Sequence, residues 1–180
     1  MSNYSWRQSV LNRIKRWWKH QEFVEESWLI WRADRFRKCE LVPVDVYPWA
    51  HTVGTPGSVN IEVSGLLTET SLLSKFIGVV HLHPPAIGAI PSGTDLGWLD
   101  GWFVALGHLV VCAIFDGTDF RVYVNVGDQE TIEISVKSVF GKRFYWEART
   151  HIPGFATVFP TFRDFICTEK GHWHRVIVKR

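Results

Sequence analysis

Cysteine is scarce in this chain. Cys39, Cys112 and Cys167 are its only three, no two form a C-x-x-C pair, and an odd, scattered set excludes a disulfide framework. No stretch reaches the roughly 20 uninterrupted apolar residues that a membrane span requires. The opening run Met1 to Arg7 lacks the apolar centre of a secretory signal, which predicts an intracellular, cytoplasmic protein. Charge of one sign is also lacking: 20 basic residues stand against 18 acidic ones, and a net charge of +2 gives no bulk electrostatic case for nucleic acid. Internal repeats and low-complexity segments are absent.

What the sequence does contain is apolar bulk. At 180 residues and 46% hydrophobic, it suits one compact domain. Its ten tryptophans are many for this length, and fill a small core or leave an aromatic contact surface. Trp6, Val10, Ile14, Trp17 and Trp18 recur at three- and four-residue steps among Arg7, Arg13, Lys15, Arg16 and Lys19. That spacing predicts an amphipathic helix over 5–24.

Strands are expected at 27–31, at 41–46 with Pro43 marking an edge or bend, at 59–63 and at 77–83. A loop is expected over 51–58 and a helical period over 66–76. The proline-rich run Pro84 to Pro91 must be a loop. Ser92 then reads as the N-cap of a helix reaching about Leu106, with Asp95 at its third position. A hairpin of 109–115 and 120–126 and a strand at 131–136 follow. Helices and strands so interspersed predict a mixed α/β (α+β) domain in which helices cover one continuous sheet.

Residues 139–180 read as a C-terminal extension packed on the domain formed by 1–138. Phe144, Tyr145, Trp146, Phe155, Phe159, Phe162 and Phe165 make it too apolar for a disordered tail. It is expected to be β-rich: short aromatic strands, a helical turn near 161–165 and a strand at 174–178. Completing the sheet, covering a groove and forming an oligomer contact are all open to it.

The chemistry concentrates in one string. His81 and His83 lie two apart on a strand, so both imidazoles point to the same face. Asp95, on the helix that follows the loop, can return to the same point. Two imidazoles and a carboxylate suit Zn²⁺ and leave a fourth tetrahedral position open, as in hydrolytic zinc sites. One zinc per chain is expected.

The whole string, His81-Leu82-His83-Pro84, the loop, then Ser92-Gly93-Thr94-Asp95, resembles the metal-binding motif of the JAMM/MPN+ (Mov34/PAD-1) zinc metalloproteases. The resemblance covers roughly residues 5–136. It implies an MPN-type, cytidine-deaminase-like fold with a mostly antiparallel central sheet. It also implies that His81, His83 and Asp95 hold the zinc and that Ser92 hydrogen-bonds the tetrahedral intermediate. The loop is one residue longer than the family's usual spacing, and Leu82 replaces the Ser or Thr between the histidines. Leu82 faces the opposite side of the strand, where an apolar residue packs into the core.

Family members also carry a glutamate, on the edge of the first strand, that takes the water's proton and passes it to the leaving amine. Glu26, seven residues before the small Ala33, is the expected base. Glu62, Glu22 and Glu25 remain rivals. Of the remaining histidines, His20, His51, His108 and the pair His172 and His174 carry no assigned role.

The resemblance implies a hydrolase that cuts an amide or isopeptide bond at the C-terminus of a ubiquitin-like modifier. Processing of a β-grasp sulfur-carrier protein and a non-catalytic MPN scaffold are the alternatives.

Overall fold

The computed structural model describes residues 23–33, 38–61, 63–167 and 175–177. The predicted helix over 5–24 lies outside these residues but for its last two positions, as do Glu22, Glu62, His20, His172 and His174. Among the described residues, no helix is long and apolar enough to cross a membrane.

Eight strands form one sheet: β1 (Glu26–Trp31), β2 (Glu40–Leu41), β3 (His51–Val53), β4 (Phe76–Leu82), β5 (Val111–Phe115), β6 (Phe120–Asn125), β7 (Glu130–Ile134) and β8 (Arg175–Ile177). Their order is β2-β1-β4-β5-β6-β7-β8, with β3 alongside β1. Every pairing is antiparallel except β4 with β5. A parallel pair cannot be joined by a hairpin and needs a crossover, usually helical. Here the crossover is helix α3 (Gly93–Leu106).

Strand alternation sorts the apolar residues to two faces. Leu29, Val79, Cys112, Ile114 and Tyr123 pack on one face with Leu99 of α3. They are joined by Leu66 of α1 (Ser64–Thr68) and Leu72 of α2 (Thr70–Leu73). Trp28, Ile30, Val80, Ala113, Phe120 and Val122 face the other way. They meet Phe140, which follows α4 (Val136–Val139), Phe144 of α5 (Lys142–His151), Phe155 of α6 (Phe155–Val158) and Phe165 of α7 (Phe162–Ile166). The result is a mixed α/β domain, a mostly antiparallel open sheet with helices on both faces.

The C-terminal segment corrects the expected β-rich extension. Among the described residues, all its aromatics but Phe140 and Phe159 lie on helices, and only β8 is a strand. Phe144, Tyr145, Ala148 and Ile152 recur at helical steps, so α5 turns one stripe to the sheet, and each buried ring contributes about 2–3 kcal/mol. A run of aromatics satisfies strand propensity and this helical stripe equally well, and packing onto the sheet decides.

Other boundaries moved for local reasons. The helical period over 66–76 is split into α1 and α2 at Glu69, where ψ is 75°. The Thr68 hydroxyl donates to Gly65 O at 2.8 Å, a side-chain bond that competes with the helix. Residues 51–53, expected in a loop, pair with β1 as β3. The expected strand at 41–46 shortens to β2, since Val46 N and Tyr47 N both turn back to Pro43 O. No strand forms at 59–61 or at 63.

At the centre, β4 and β5 approach so closely that a Cβ on Gly78 would lie 1.8 Å from the carbonyl oxygen of Val111, its partner. Gly101, in α3, has no atom within 4 Å of such a Cβ. Urea denaturation should therefore separate two alanine substitutions by sign. Gly78→Ala loses about 2–4 kcal/mol by forcing these strands apart, whereas Gly101→Ala gains about 0.5–1 kcal/mol from helix propensity.

Candidate metal centre

The β4–α3 crossover builds the site. His81 and His83 sit at the carboxyl end of β4, and the chain then leaves the sheet through the loop 84–91 and enters α3 at Ser92. Ser92 and Asp95 form a reciprocal capping box: Asp95 N donates to Ser92 Oγ at 3.2 Å and Ser92 N to Asp95 Oδ2 at 2.6 Å. The Ser92 hydroxyl adds a third bond, to Oδ2 at 2.7 Å. A carboxylate at this position is also favoured by the positive end of the helix.

That cap aims the carboxylate at both histidines. His81 Nε2 lies 3.5 Å from Asp95 Oδ1, and His83 Nε2 lies 3.3 Å from Oδ2. All three residues are buried, His81 at 2%, His83 at 4% and Asp95 at 9% exposure. Their ligand atoms fall within 4.8 Å of one another, a group able to hold a metal ion. Donors about 2.0–2.1 Å from a tetrahedral ion are about 3.3–3.4 Å apart. The His83–Oδ2 distance matches that spacing, and His81 lies slightly farther, from the other oxygen, Oδ1.

The protonation pattern suits a cation as well. His83 Nδ1 faces Gly88 O at 3.2 Å. A carbonyl can only accept, so Nδ1 carries a proton and donates it, while the Nε2 lone pair is turned toward Asp95. A carbonyl behind the imidazole is the usual means of fixing the orientation of a metal-binding histidine. Without a metal, a proton fills the gap: burial opposes the charge on His83, but Asp95 outweighs it and raises the pKa. Burial holds His81 down at about 4, so it is neutral at pH 7. Burial would raise Asp95, but the bond from His83, the nearby His81 and the Ser92 donors bring it to about 2.

Among the candidate bases, strand register separates Glu25 from Glu26. Ser27 of β1 is the direct partner of His81, so odd-numbered residues of β1 share the face of the histidines. Glu25 continues that parity. It is buried, and its backbone is tied to the 54–55 turn by Glu25 N to Thr55 O at 3.0 Å and Gly54 N to Glu25 O at 2.7 Å. Burial raises its pKa, with His83 pulling it down and Asp95 pushing it up, so its charge is felt at the site.

Glu26 points to the opposite face. Its Oε2 meets His51 Nε2 at 2.7 Å, and His51 stacks on Trp28 at 4.8 Å. The structure thus brings together His81, His83, Asp95 and Ser92, sets Glu25 on the same face of the sheet and turns Glu26 to the other. Alternation from the Ser27–His81 pairing was the signal for Glu25, and the pairing itself could not be read from the sequence. His51, given no role beforehand, is the partner of Glu26.

Cys112 lies against the site, its Sγ 3.8 Å from His81 Nε2. Burial, and then Asp95, push its thiol well above the usual range, so it stays protonated. Cys39 is buried too and raised to about 11, chiefly by burial, whereas Cys167 is exposed. A thiol reagent at pH 8 should label one cysteine per folded chain, Cys167, and all three after denaturation; peptide mapping of the adduct checks the position.

No protein-family model and no curated protein matches this chain.

Proposed function

We propose that this chain is a zinc-dependent hydrolase that cuts an amide or isopeptide bond at the C-terminus of a ubiquitin-like modifier. One observation carries the reading: a second buried carboxylate, Glu25, shares the sheet face of the buried His81–His83–Asp95 group. Three converging ligands leave a fourth tetrahedral position, the arrangement of hydrolytic rather than structural zinc sites. The motif resemblance through His81, His83, Ser92 and Asp95 supplies the substrate class.

When bound, zinc supplies a Lewis acid that acidifies water and polarises the amide carbonyl. His81, His83 and Asp95 hold it. Glu25 takes a proton from the attacking water on a carboxylate oxygen and delivers it to the leaving amine. A carboxylate whose pKa burial raises accepts and holds a proton more readily than an exposed one, which suits that exchange. The Ser92 hydroxyl can rotate away from Asp95 toward the developing oxyanion, because the Ser92 N–H keeps its own bond to Oδ2.

The surroundings suit an extended tail. Ile87 and Ile90 are exposed on the loop that joins the ligands, and Val53 is exposed at the end of β3. Among the described residues β3 pairs only with β1, which leaves an edge for a strand-like peptide.

The test is metal content together with turnover of a modifier fused through its C-terminus to an acceptor peptide. Wild-type protein should hold one zinc, and His81→Ala and Asp95→Asn should hold none. Glu25→Gln should keep zinc while kcat falls by about 10²–10⁴-fold, whereas Glu26→Gln stays within about threefold of wild type. Protein that takes up no zinc from micromolar metal would sink the hydrolase reading. Loss of turnover in Glu26→Gln alone would return the base to Glu26. Cleavage only of an amino-acid-capped β-grasp sulfur carrier would move the substrate to that class.

A further inference from the structure

We propose that Tyr123, on β6, is a positioning residue for the metal ligand His83, acting through the loop 84–91; the inference rests on the metal-centre reading above. Tyr123 is buried on the α3 side of the sheet, and its hydroxyl donates to Ala89 O at 2.9 Å. Ala89 is the buried residue next to Gly88, whose carbonyl receives the His83 Nδ1 proton. The phenol therefore holds the peptide adjoining the one that sets the tautomer and ring angle of His83.

The loop has few other anchors. Its internal backbone bonds are those of one turn, Ile87 N and Gly88 N to Pro84 O at 2.9 and 3.3 Å. Gly88 takes a φ of 80°, and Ile87 and Ile90, on either side of Gly88 and the buried Ala89, are exposed. A segment with so little packing of its own relies on attachment to the sheet.

Tyr123 is well placed to give that attachment. Burial first, and Glu133 next, keep its hydroxyl protonated, so it remains a donor. Arg121, two residues earlier on the same face, is itself held between Asp119 and Glu133 at 3.6 Å each. The support thus runs from β7 through Arg121 and Tyr123 to the carbonyls behind His83. Groups that orient a metal ligand from behind typically change metal affinity by about 10–100-fold when removed.

Tyr123→Phe deletes one oxygen and keeps the ring. The control is Val122→Ala, the adjacent residue on the opposite face, which opens a cavity in the other core and lowers stability without touching the loop. Zinc dissociation constants from competition with a chelator are compared with melting temperatures for the three proteins. Amide exchange at Ile87 and Gly88 is followed in metal-free protein. The expected result is a zinc Kd raised about 10–100-fold and faster exchange at both amides in Tyr123→Phe, with neither change in Val122→Ala despite its lower melting temperature. Equal zinc affinity in wild type and Tyr123→Phe overturns the assignment and leaves the hydrolase reading standing. So does a loss of affinity that merely follows melting temperature across both variants. Wild-type protein that takes up no zinc overturns both.

Discussion

Two hydrogen bonds from a single serine fix the carboxylate of Asp95, and the rest of the site is arranged around that fixed group. The cap that begins α3 needs an acceptor at the third helical position, and the same acceptor faces both imidazoles. Helix cap and candidate metal ligand are one side chain. The crossover that makes β4 and β5 parallel is what brings α3 to the carboxyl end of β4, the usual place for a binding crevice in such units. Gly78 permits that pairing at close range, so a backbone contact deep in the sheet helps to set where Asp95 stands.

Much of this was legible beforehand because it is local. The β4 strand, the proline-bounded loop, the Ser92 cap and Asp95 lie within one short stretch, and each has a rule that reads from neighbours in sequence. The face shared by His81 and His83 needs only the strand period. The candidate base was different. Choosing between Glu25 and Glu26 required knowing that Ser27 stands opposite His81, and register between distant strands is set by packing. Spacing to Ala33 favoured Glu26; parity with Ser27 places Glu25 on the histidine side.

The C-terminal segment was illegible for another reason. Phe144, Tyr145 and Phe155 suit a strand or a buried helical stripe alike, and the surface they cover belongs to residues twenty or more positions away, such as Phe120 and Val122. Its helices fill the face of the sheet opposite the candidate metal centre. The two faces therefore divide the labour: one holds a dense aromatic core, the other a polar cluster of His81, His83, Asp95 and Glu25 set among apolar neighbours.

The crossover has a consequence for the order in which the site comes together. His81, His83 and Asp95 are separated by one short loop, so the entropy lost in closing that loop is small. Glu25 reaches them only through the pairing of β1 with β4, a contact between segments some fifty residues apart in the chain. The candidate ligand set is therefore a short-range feature of this polypeptide, and the placing of Glu25 beside it a long-range one. A chain that has folded only its β4–α3 unit already brings His81, His83 and Asp95 together while still lacking the buried carboxylate of Glu25.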